Sequence, residues 1–140
     1  MEIHELVDKA FNRDLSDPSA LNDAFDSLRL LEPDDFNLAH EKNKEIRRLS
    51  AKYAKERTDA KMFELNKRAL LFDAPYDFQA YCMYIEWNRA NDKRFYLPRR
   101  KQLLQVVKAL QRLADDELDL LAVSMPPGTG KSTLAIFFLT

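Results

Sequence analysis

Apolar residues recur along most of this chain at the spacing of one helical face. Ile3, Leu6, Val7, Ala10 and Phe11 mark a short amphipathic helix over residues 3–13. In the Leu-Ser-Asp-Pro stretch that follows, Asp17 suits a cap and Pro18 a first helical turn. Leu21, Ala24, Phe25, Leu28 and Leu31 then predict a second helix ending near residue 31. Pro33 and the acids after it stop that helix and open another, since acidic side chains suit a helix N-terminus. From Asp35 no glycine or proline intervenes before Pro75, which predicts one long helix or two broken near Thr58 and Asp59. The middle of this stretch is charged and sparsely anchored, by Ile46, Leu49 and Tyr53. Lys44, Arg47, Arg48, Lys52 and Lys55 offer a stripe for phosphates or acidic partners, but Glu41, Glu45 and Glu56 interleave with them as on a solvated face.

Past Pro75 the pattern becomes denser. Asp77 is placed to cap a helix crowded with Phe78, Tyr81, Cys82, Ile85 and Trp87, a spacing that reads as buried core more readily than as a base-stacking surface. A short extended piece over residues 95–98 precedes a helix over residues 99–114, whose Leu103, Val106, Val107, Leu110 and Leu113 share a face. Residues 118–124 are apolar except for Asp119 and Ser124, which predicts a strand buried in a parallel sheet. The final run, Leu-Ala-Ile-Phe-Phe-Leu, is apolar on all sides and reads as a helix enclosed by a sheet and other helices.

Composition narrows the classes. The chain has 140 residues, 46% hydrophobic and 32% charged, with two glycines and six prolines, as in a helix-rich globular protein. Its 22 basic and 23 acidic side chains nearly cancel, so no global positive field attracts nucleic acid and any DNA contact must be local. The single cysteine, Cys82, excludes an internal disulfide and fits a reducing compartment. Residues 1–13 are mixed and charged, unlike a leader, and no apolar run approaches the roughly 20 residues of a membrane span, so a cytoplasmic protein with no membrane partner is expected.

The candidate chemistry lies near residue 130. A phosphate-binding loop reads as a glycine, four variable residues, then Gly-Lys-Ser/Thr. Met125, Pro126, Pro127, Gly128, Thr129, Gly130, Lys131 and Ser132 satisfy it except at the first position, where Met125 replaces glycine. Gly128 and Gly130 are the chain's two glycines and supply the dihedral freedom that backbone N–H groups need to close around phosphates. Lys131 would reach the β and γ phosphates of ATP as a point charge and is the candidate catalytic residue. The Ser132 hydroxyl would ligate Mg2+, and Thr133 is its first-turn neighbour. Hydrolysis by such a site also needs an acid at the end of a neighbouring strand, and no hydrophobic strand ending in acid precedes the loop. The chain alone is therefore expected to bind ATP weakly and not to turn it over at a motor's rate.

The segments FYLPRRKQLLQVVKALQRL and LDLLAVSMPPGTGKST resemble the large terminase subunit of tailed bacteriophages and prophages, most strongly over residues 95–140; PYDFQAYCMYIEWNR also looks like that family's lead-in. The resemblance implies an ATP-driven motor that packages double-stranded DNA into procapsids inside the bacterial host cell. Its partners would be the small terminase subunit, the portal protein and further copies of itself. It implies a mainly α N-terminal region, residues 1–94, leading into the first strand, loop and helix of a truncated α/β P-loop domain of RecA-like fold, residues 95–140. The nuclease of the family has no counterpart in these residues. The resemblance also places an adenine-side motif on Pro98 and Arg100, after Phe95 and Tyr96, and accommodates Met125 in the loop. Arg100 stands where related motors often carry glutamine, and Arg99 and Arg100 read equally as surface charges opening a helix. Two alternatives stay open. One is another P-loop ATPase of the AAA+ kind; the other is a helical interaction module without activity.

Overall fold

The computed structural model describes residues 2–90, 93–125 and 131–139. The chain divides into two compact units, Met1–Asp73 and Ala74–Thr140.

The first unit holds four helices, α1 (Ile3–Phe11), α2 (Pro18–Leu31), α3 (Phe36–Arg57) and α4 (Ala60–Asp73). Their ends follow local chemistry. Asp17 accepts from the Ser19 backbone N–H at 3.3 Å with Pro18 in the first turn of α2, and Asp35 accepts from the Leu38 N–H at 3.2 Å to open α3. The charged stretch resolves into two helices because Thr58 takes a left-handed conformation, φ 50° and ψ 46°, that ends α3. Asp59 then starts α4 by accepting from the Lys61 N–H at 2.9 Å.

Helices α3 and α4 run antiparallel. Asn43 Nδ2 donates to the Ala69 carbonyl at 2.9 Å, and Asn66 Nδ2 donates to the Arg47 carbonyl and to Ser50 Oγ, each at 3.1 Å. The core of this unit gathers Val7, Leu21, Phe25, Leu28, Leu31, Ile46, Met62 and Leu65 from all four helices. A polar cluster closes one end. Asp73, the last residue of α4 and buried, receives His40 Nδ1 at 2.7 Å and Arg47 Nη1 at 3.0 Å, while His40 Nε2 meets Glu32. The imidazole also stacks on Phe72, with centroids 4.3 Å apart.

The second unit contains α5 (Phe78–Ile85), a 3-10 turn (Leu97–Arg99), α6 (Arg100–Ala114) and α7 (Lys131–Leu139). Asp77 caps α5 as expected, accepting from the Gln79 N–H at 3.0 Å. Gln111 ties α6 to the entry of α5, its Oε1 accepting from the Phe78 N–H at 2.6 Å and its Nε2 donating to the Tyr76 carbonyl at 2.9 Å. Phe78, Cys82, Tyr96, Leu103, Val107 and Leu134 form the core here.

Two expectations are corrected. Residues 95–98 are not extended but turn into the 3-10 helix ahead of α6. The strand expected over residues 118–124 does not form, and the described residues contain helices and no strand, so the α/β P-loop fold of RecA-like type is overturned in favour of an all-helical one. The reason is the backbone. A strand satisfies its N–H and C=O groups only against a neighbouring strand, and none is present among the described residues. None of residues 118–125 is buried, Leu120 being 85% exposed, whereas a strand of a parallel sheet is covered on both faces. No helix among the described residues is long and apolar enough to cross a membrane.

Candidate phosphate site at the start of helix α7

Helix α7 begins at Lys131, directly after the glycine-rich stretch. Its nine residues contain no glycine or proline, and its apolar side chains hold it in the second unit: Leu134 is 2% exposed, Phe138 meets Phe78 edge-on at 5.3 Å and Phe137 meets Phe95 at 5.5 Å. The helix expected to need a sheet is thus packed on α5 and on the segment before α6, although Ile136 and Leu139 remain 64% and 81% exposed. A helix start leaves its first backbone N–H groups without intrahelical acceptors and carries the positive end of the peptide dipoles, which is the physical basis for holding a phosphate.

The expected loop residues divide as follows. Met125 is half-buried and packs against the second core. Pro126, Pro127, Gly128, Thr129 and Gly130 lie outside the described residues. Lys131 and Ser132 fall in the first turn of α7, followed by the half-buried Thr133. The expected adenine-side residues sit elsewhere in the same unit. Pro98 is exposed within the 3-10 turn, and Arg100 opens α6 on the surface. Tyr96, Phe95, Met125, Leu134 and Phe137 share one apolar cluster, so the segment carrying Pro98 and the segments flanking the loop rest on common packing.

Two residues that sequence reasoning missed organise this unit. Gln79, on α5, with its amide assigned in the orientation that satisfies its neighbours, turns its oxygen toward Arg100 Nε (3.0 Å), Arg100 Nη2 (3.2 Å) and Tyr96 Oη (3.2 Å). Arg100 is therefore engaged by a neutral acceptor through two of its N–H groups, and Tyr96 is fully buried with its hydroxyl satisfied. Burial foremost pushes the Tyr96 phenol above its ordinary value. Glu86, 0% exposed at the end of α5, accepts from the backbone N–H groups of Phe95 (2.7 Å) and Tyr96 (2.8 and 3.0 Å), which fixes the turn leading into α6. Its signal in the sequence was a single acid inside an apolar and aromatic run; Gln79 offered none. Arg99 is structural, donating to the Phe95 carbonyl at 3.1 Å and lying over the Phe95 ring. Cys82 is a core thiol, pushed up to about 12 chiefly by burial, and so is a poor nucleophile.

Compared with family models, with curated proteins and with solved structures, the chain matches none. Among the described residues there is no group of three or more His, Cys, Asp and Glu side chains arranged to hold a metal ion. The arrangement on hand is thus a helix start next to two glycines, a lysine and a serine, with chemistry suited to binding an anion.

Proposed function

We propose that the chain is an N-terminal part of a bacteriophage large terminase subunit and that it binds the phosphates of ATP at the start of α7. The observation that carries this reading is the onset of α7 at Lys131, which sets Lys131 and Ser132 in a first helical turn immediately after Gly128 and Gly130. Lys131 supplies the cation for the phosphates, and Ser132 the hydroxyl for Mg2+. Bound ATP with Mg2+ would bring the transferable phosphoryl group; the residues of this chain grip and neutralise it. Double-stranded DNA, the small terminase subunit, the portal and further motor copies are the partners this reading supplies.

A fluorescent ATP analogue titrated with Mg2+ tests it. The chain should bind the analogue, and Lys131→Ala should weaken binding by about tenfold or more, in the range lost with one charge-assisted contact of about 1.5–3 kcal/mol. Equal binding by both proteins, with unchanged helical circular dichroism, sinks the assignment. Turnover at a motor's rate that Lys131→Ala abolishes would refute the expectation that this chain only binds.

The all-helical architecture favours a second reading, a helical interaction module without activity. It is distinguished by capture: retention of the small subunit or portal by a protein that fails to bind the ATP analogue would replace the first reading with this one.

A further inference from the structure

His40 is held between two carboxylates that belong to two other helices. Its Nδ1 lies 2.7 Å from Asp73 Oδ1 at the end of α4, and its Nε2 meets Glu32, the cap residue at the end of α2. Arg47, on the same helix as His40, donates to the second oxygen of Asp73 at 3.0 Å. The rings of Phe36 and Phe72 lie against the imidazole, each with its centroid 4.3 Å away, so the ring is packed in place and its side chain is only 14% exposed.

A neutral imidazole has one N–H and one bare nitrogen; only the doubly protonated ring donates from both. Two carboxylates here face one guanidinium and the imidazole, so the charges of the cluster cancel only while the ring carries both protons. With one proton, one carboxylate faces a lone pair, and burial decides which. Asp73 is 5% exposed, and taking the imidazole proton from it deprives a buried carboxylate of a donor. Glu32 is 32% exposed and can turn to water. We propose that His40 is a pH-operated latch: doubly protonated, it ties the end of α2 to the end of α4, and on losing a proton it keeps Asp73 through Nδ1–H and releases Glu32. The part released is the last turn of α2 with the turn into α3, where the Asp34 and Asp35 N–H groups both donate to the Leu31 carbonyl at 2.9 Å. The latch is therefore made on the acid side of the imidazole range and opens on its alkaline side, between about pH 5 and about pH 8. It lies within the first unit and needs nothing from ATP binding at α7.

NMR of the whole 140-residue chain tests the latch. The background is His4→Gln, because His4 is the only other histidine and bonds Asp35 in the same turn at 3.2 Å. From about pH 5 to about pH 8 the imidazole nitrogen signals should show Nε2 losing its proton while Nδ1 keeps its own. Over that range amide hydrogen exchange at Glu32, Asp34 and Asp35, corrected for the intrinsic effect of pH, should speed up by about tenfold, as for one lost charge-assisted hydrogen bond. Exchange at the end of α4 should change by less than about threefold. Glu32→Gln should remove the pH dependence, since a carboxamide accepts from an N–H or donates to a bare nitrogen and so holds α2 in both states. His40→Gln should remove it as well, with helical circular dichroism as the check on folding; the partly exposed Glu32 keeps its own variant decisive if His40→Gln does not fold. A neutral ring protonated at Nε2, exchange at Glu32, Asp34 and Asp35 that ignores pH, or a pH dependence that survives Glu32→Gln would each overturn the proposal.

Discussion

Glu86, itself fully buried, accepts two backbone N–H groups, that of Tyr96 in a buried setting and that of Phe95 in a partly buried one. Glu86→Ala should therefore cost about 2–3 kcal/mol, the range for hydrogen bonds to a charged group, because it strands the N–H groups of Phe95 and Tyr96. Urea unfolding followed through Trp87, the chain's one tryptophan, measures it; a loss below about 0.5 kcal/mol would mean that the turn satisfies itself without the carboxylate. At the other end of the chain a titrating pair works in the open. The Asp35 hydrogen bond foremost raises His4 above its usual value, and the His4 hydrogen bond foremost lowers Asp35. The His4 part of the stabilisation is complete below about pH 6.5 and fades as pH rises through the raised value; the Asp35 part is complete above about pH 4 and fades as pH falls through the lowered one. The melting-temperature difference between the native chain and His4→Gln should accordingly be largest near pH 5 and shrink toward pH 8. An equal difference at both values would leave His4 without an electrostatic role. Neither contact was readable in advance, since Glu86 and Asp35 find their donors through folding, and only their presence as acids is sequential.

The helices were the legible part, and their ends show why. Asp17 and Asp77 cap as their sequence context predicts, because an N-cap is settled by residues two or three positions apart. The break near Thr58 was also visible, though the choice between one helix and two needed the left-handed φ that a β-branched residue rarely adopts. Thr58→Gly should remove that strain and stabilise the first unit by about 1 kcal/mol, read as a raised melting temperature; a lowered one would show that the Thr58 side chain is needed there. The strand over residues 118–124 was misread for the opposite reason. Apolar content marks a segment for burial, but a strand exists only in a ladder, and the partner strand is a property of distant residues. For the candidate site the onset of α7 at Lys131 was legible from the two glycines, while the packing of Phe137 and Phe138 on Phe95 and Phe78 was not, since it replaces a sheet with aromatic contacts.

Across the whole chain a near-zero net charge conceals an uneven distribution. Composition spoke only to the sum, while contacts sort the α3 cations into those serving the fold, Lys42, Arg47 and Arg57, and those left in solvent beside Glu41 and Glu56. The two cores are likewise built differently. The first joins four helices mainly through aliphatic side chains around Phe25; the second is centred on Phe78, Tyr96 and the aromatic residues around them. The first unit ends at Asp73, the residue gripped by the His40 imidazole and the Arg47 guanidinium. Any tension entering from the following segment meets this grip before it reaches a single apolar contact. Because both side chains belong to α3, the load passes sideways into a second helix instead of fraying α4 from its tip. The polar cluster that closes the bundle is, mechanically, its strain relief.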